Sequence, residues 1–156
     1  MSSVKLFVLI SATALAACGG GTDDSPEPVA ADDPRHERHE LMEDVGKAAK
    51  PVGAMLKGEA DYDLNVLLDS MTTFKSVSES FGDLFPAGSE TGEDTEAAPA
   101  IWEDRAGFEA ALGEWQDATQ AVIDAQPATL EDAMPLAGAV FKSCKNCHDT
   151  YRIEEE

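Results

Sequence analysis

Residues 144–148 read Cys-Lys-Asn-Cys-His. The arrangement C-x-x-C-H is the covalent attachment site of a c-type haem. Two thiols at this spacing reach both vinyl groups of a porphyrin and form thioethers, and the adjacent imidazole, His148, lies against the iron as proximal ligand. On a helix Cys144 and His148 stand one turn apart, as do Cys147 and Tyr151, so all four line one face, and Val140 and Phe141 extend its apolar wall. Three other chemistries compete for these residues. A redox-active C-x-x-C wants a thioredoxin-like βα context, which is absent. A zinc site wants four ligands, and only His36 and His39 could complete the set. A structural disulfide between Cys144 and Cys147 suits an exported chain. Export favours haem c, one per chain and covalent, because it is attached outside the cytoplasm.

The third cysteine, Cys18, closes the arithmetic. Residues 1–17 carry Lys5 and then an apolar run ending in small residues. At about 1.5 Å per residue that run cannot cross a bilayer core of about 30 Å, so the segment reads as a signal peptide and not as a membrane span. Leu15-Ala16-Ala17-Cys18 followed by three glycines resembles the lipobox of bacterial lipoproteins, in which the cysteine becomes the lipidated N-terminus. Acyl chains at about 0.8 kcal/mol per buried methylene would hold the protein to a membrane. No Asp follows Cys18, which favours the outer membrane. The rival is a soluble periplasmic protein released after Ala14-Leu15-Ala16. Residues 18–34, rich in Gly, Pro and Asp, read as a disordered acidic tether.

The 156 residues leave room for one folded domain, expected over 35–156. With 31 acidic against 11 basic side chains and a net charge of −20, a nucleic-acid partner is excluded, because neutralising phosphates requires a basic footprint. Protein partners should present basic or neutral surfaces.

The elements that must position the haem are helical. Leu41, Val45, Ala48, Val52 and Leu56 recur at helical spacing over residues 35–58, with Pro51 expected to kink that helix or end its first half. A second, smaller stripe on it, Met42, Gly46, Ala49 and Gly53, makes room beside a large flat group or marks close helix packing. The next helix is expected over residues 63–84, with Leu64, Leu67, Met71, Phe74 and Phe81 on one face. A polar loop covers 87–98. A third helix begins after Pro99 and ends at Gln126-Pro127. The last opens at Thr129, with Asp132 three residues on, and runs to about Ile153, with Pro135 tolerable only in a loosely bonded first turn. No period-two strand pattern appears. The fold class is all-α, an antiparallel up-down-up-down four-helix bundle with covalently bound haem.

A C-x-x-C-H near the C-terminus of such a chain resembles the class II c-type cytochromes, the cytochrome c′ family. Further segments carry the resemblance: Arg38-His39-Glu40-Leu41-Met42, Lys57-Gly58-Glu59 before Tyr62-Asp63, residues 84–89, residues 95–104 with Phe108, and residues 144–152. It implies haem near one end of a left-handed bundle. Carried over by position, Met42 occupies the distal site facing the iron and Arg38 approaches a haem propionate. Family members with a non-coordinating residue at the distal position keep iron five-coordinate and bind nitric oxide or carbon monoxide. Members with a coordinating methionine are low-spin electron carriers, and this sequence is similar to the second kind. Ala98 departs from the family, in which lysine is common there. Homodimers through the first two helices are common in related bundles.

Among the other methionines, Met55 and Met71 read as core and Met134 as a helix start; His39 is the next distal candidate after Met42. Lys142, Lys145 and Arg152 form a basic strip where a redox partner protein could meet the haem edge. Methionine/histidine ligation raises the reduction potential and suits transfer of single electrons. The expectation is therefore a periplasmic, membrane-tethered monohaem electron carrier and not an enzyme. Its alternative is a five-coordinate gas binder.

Overall fold

The computed structural model describes residues 33–92 and 95–153. The expected signal peptide, Cys18 and the expected tether as far as residue 32 lie outside the described residues. Helix α1 is Pro34–Leu56. The Asp33 carboxylate caps it by accepting from the Arg35 amide, and Pro34 supplies a first-turn residue whose missing N–H has no helical partner to lose. Asp33 and Pro34, assigned to the tether by composition, are thus the start of the fold. Pro51 does not end a first half: the helix continues five residues beyond it, to Leu56, and buries Val52 and Met55 at 0% and 3% exposure. That burial outweighs the one backbone hydrogen bond proline forfeits. Gly58, at φ +73°, then turns the chain out of the helix.

Helix α2 is Leu64–Phe81, capped by the Asp63 carboxylate on the amides of Asn65 and Val66, and a 3-10 turn, Gly82–Leu84, follows it. The expected third helix is two elements. A single turn, α3 (Ala100–Glu103), stops at Asp104, which leaves helical geometry at φ −127°, ψ 64° and caps α4 (Arg105–Ala125) through the Gly107 amide. Capping chemistry wins over apolar periodicity at that point. Gln126 ends α4 in the left-handed region. Helix α5, Leu130–Tyr151, opens on the Thr129 cap as expected and passes through Pro135. It stops at Tyr151 and not Ile153, because residues 151–153 turn to pair with 96–98.

The four long helices form the bundle. Neighbours in sequence pack on each other, α1 on α2, α2 on α4 and α4 on α5. The core is Leu67, Met71 and Phe74 from α2, Phe108, Leu112, Trp115 and Val122 from α4, and Ala133, Ala137 and Val140 from α5. Met55 and Met71 are buried there, whereas Met134 is half exposed. The fourth side of the bundle differs: α1 and α5 touch at only a few points. No described helix is long and apolar enough to cross a membrane.

Candidate haem site

The open side between α1 and α5 is a cavity of about 410 Å³, within the ~300–1,000 Å³ range of ligand sites. Cys144, Cys147, His148 and Tyr151 line it from α5, as their spacing on one helical face requires. Met42, Val45, Gly46 and Ala49 line it from α1, and Phe74, Phe108, Leu112 and Trp115 close its floor. A Cβ built on Gly46 would meet no atom within 4 Å. The small stripe on α1 therefore leaves space facing the cavity, as a large flat group needs. A lining dominated by apolar and aromatic side chains, with two thiols and the adjacent His148 imidazole on α5, fits a covalently attached haem.

Both thiols are free and half-buried. Burial raises the pKa of each, that of Cys147 to about 11 with a further push from Cys144, so both are held as thiols. His148 sits at the mouth and is exposed as a residue, yet burial first, and Arg152 second, lower its pKa. The neutral imidazole, the form with a free lone pair for a metal, is thereby favoured. The rival zinc reading has no ligand set. Among the described residues no three His, Cys, Asp or Glu side chains gather where a metal could be held, and His36 and His39 turn to Glu40 and Glu43 one turn on, at 3.4 and 3.5 Å. His39 still lines the cavity, three residues before Met42.

Arg38 reaches the cavity wall but is 5% exposed, and its Nη atoms are occupied within the chain. Nη1 donates to the Leu84 carbonyl and to Ser89 Oγ, both at 3.2 Å. Nη2 donates to the Ser89 carbonyl at 2.9 Å and to Thr95 Oγ1 at 3.1 Å. The guanidinium lies 4.6 Å from the Phe85 ring centroid and 5.9 Å from that of Trp102. Burial lowers its pKa, and the neighbouring Arg35 adds to the shift. These partners fall in the segments 84–89 and 95–104 that carry the family resemblance, but their pairing with Arg38 is not legible in the sequence. The only local hint is that Arg38 falls in phase with Met42 and Val45, on the inward stripe of α1. Two members of the basic strip are also engaged: Lys145 bonds Asp149, and Arg152 Nε lies 3.1 Å from Glu96.

The family model described as Cytochrome C′ matches residues 33–152. Cytochrome c′ of Rhodopseudomonas palustris is 38% identical over 122 residues, which span 76% of this chain and 81% of the relative. Cytochrome c-556 of Agrobacterium fabrum is 36% identical over 121 residues, 76% of this chain and 80% of that protein. The solved structure of cytochrome c′ from Rhodopseudomonas palustris superimposes with a TM-score of 0.76 at 35% identity, covering 80% of this chain and 98% of the other. Together with the C-x-x-C-H cavity between α1 and α5, these similarities identify the chain as a member of the cytochrome c′ family, monohaem c-type cytochromes that carry one covalent haem c.

Proposed function

We propose that the protein is a low-spin, one-electron carrier in which His148 and Met42 ligate the haem iron from opposite sides of the α1–α5 cavity. The observation that carries this reading is that Met42 and His148 line the same cavity from the two helices that scarcely touch. When bound, the haem supplies the one-electron couple. Cys144 and Cys147 tether its edge by thioethers, and the neutral His148 imidazole donates its lone pair. Met42 presents a soft thioether from a wall that its neighbours keep apolar. Phe74, Phe108 and Trp115 exclude water from the far side. A low-dielectric shell of this kind favours the less charged, reduced state. Arg38 would meet a propionate through Nε, since its Nη atoms serve the chain.

A second reading, the five-coordinate haem that binds nitric oxide or carbon monoxide, draws better support from the comparisons. Cytochrome c′ proteins are among the most similar relatives and the high structural matches, and one solved relative is a nitric oxide complex of a cytochrome c′ variant. Met42 is what favours the first reading in this chain. Carbon monoxide binding to the reduced holoprotein separates them: the carrier binds slowly, at a rate set by loss of Met42, and fast one-step binding establishes the gas binder.

The address proposed from residues 1–18 is the periplasm, with Cys18 lipidated and the outer membrane favoured over soluble export. Fatty-acid labelling that vanishes in Cys18→Ser tests it. Redox partner proteins and self-association complete the proposal; Arg38 toward a propionate belongs to it as well.

A further inference from the structure

Cavity width at the haem end is not set by direct packing of α1 on α5, because those helices barely meet. Another route joins them. On the α1 side, Arg38 Nη2 donates to Thr95 Oγ1, which also accepts from the Ala97 amide at 3.3 Å. On the α5 side, the Ala98 amide donates to the Tyr151 carbonyl at 3.0 Å and the Ile153 amide to the Glu96 carbonyl at 2.7 Å. Ala97 and Arg152 form an antiparallel bridge, and the Glu96 carboxylate pairs with Arg152. Residues 95–98 thus touch both ligand-bearing helices. Arg38 stands one turn before Met42 on the same face of α1, and Tyr151 stands three residues after His148.

We propose that residues 95–98, held by Arg38 at one end and by Arg152 at the other, are a strap that fixes the separation of α1 from α5 and so sets the reach of Met42 to an iron held by His148. Arg38 is then a positioning residue for the distal ligand. Hydrogen bonds to a charged guanidinium are the strong ones, and four converge on this group. The inference rests on the Met42/His148 ligation proposed above.

The test uses holoprotein matured with haem and reads two quantities: the ferric methionine–iron charge-transfer band, and the rate at which carbon monoxide displaces Met42 from reduced iron. Thr95→Val removes the acceptor that joins Arg38 to the strap, and Glu96→Gln weakens the α5 end. Each should weaken the band and raise the rate about tenfold, the factor one charge-assisted hydrogen bond can supply. Thr95→Ser, which keeps the hydroxyl, should restore both. Arg38→Met should go further; where it fails to fold, Thr95→Val carries the test. Arg105→Met is the control, since among the described residues the hydrogen bonds of Arg105 go to the Gly82 carbonyl and Glu109 and none to residues 95–98. It should lower the melting temperature and leave the carbon monoxide rate unchanged. An unchanged band and rate in folded Thr95→Val and Glu96→Gln overturns the strap alone. A five-coordinate unmodified protein overturns the ligation reading and the strap with it, and is recognised before any variant is made.

Discussion

The α2–α4 interface and the α1–α5 side are built from the same kind of amphipathic helix, yet they do opposite things. Where α2 meets α4, large side chains fill the space: Phe74, Leu67 and Phe108 are all at most 1% exposed, and Phe74 packs against Trp115 with ring centroids 6.2 Å apart. Where α1 faces α5, glycine and alanine stand in place of such side chains, and the helices leave a cavity into which α5 brings two thiols and an imidazole. Chemistry is placed where packing is withheld. The stability of the bundle comes from the other three interfaces, and the open side is left to be filled by the cofactor.

The sharpest way to break this contrast is at the thiols. Cys144→Ser with Cys147→Ser should abolish covalent haem almost completely, so that acidified organic solvent extracts whatever haem remains. Retained covalent haem would place the attachment elsewhere. On the packed side, Leu67→Ala, at a buried α2 position outside the cavity lining, should cost about 2–5 kcal/mol, seen as a large fall in the denaturant midpoint. The absorption spectrum of the protein that remains folded should be unchanged. A spectral change equal to that of a cavity variant would merge the two regions that the structure separates.

Glycine substitutions sharpen it further. Neither Gly46 on the cavity side nor Gly113 on α4 has an atom within 4 Å of a built Cβ. Helix propensity alone predicts a gain of up to about 1 kcal/mol for either change to alanine. With haem in place Gly113→Ala should keep that gain in thermal unfolding and Gly46→Ala should lose part of it; equal gains would show that the cofactor does not rest on Gly46. The smallest effect is at the start of α1. The Arg35 guanidinium and amide hold the Asp33 carboxyl down to about 2. A depressed carboxylate contributes stability that is present above its ordinary value of 3.8 and is lost as pH falls towards about 2. Asp33→Asn, which keeps a capping side chain, should flatten that acid limb in stability measured between pH 4 and pH 2.

Much of this contrast can be read from residue order. The C-x-x-C-H face, the small stripe of Met42, Gly46, Ala49 and Gly53, and the ends at Thr129 and Gln126 are local signals, and local physics is what a sequence displays. Three features were hidden for identifiable reasons. Ile101 and Phe108 are seven residues apart and stay in helical phase across Asp104, so apolar spacing runs straight over a break that a carboxylate cap makes. Pro51 reads as a kink or the end of a first half because local bonding says so, whereas burial of Val52 and Met55 carries the helix on to Leu56. Arg38 reads, through the family resemblance, as a haem-propionate contact, and its hydrogen-bond partners within the chain, Leu84, Ser89 and Thr95, lie 46 to 57 residues away, beyond any local pattern. The pairing of 96–98 with 151–153 is of the same kind. Long-range bonds of this sort hold the site's shape, while its chemistry is written in one short motif.

The central claim, that the cavity joins α1 to α5 through a metal with Met42 on one side and His148 on the other, is tested most directly by electron paramagnetic resonance of the ferric holoprotein. A low-spin signal is expected, and it should become high-spin in Met42→Ala while the covalent haem is retained. A high-spin signal in the unmodified protein, unaltered by Met42→Ala, would contradict it.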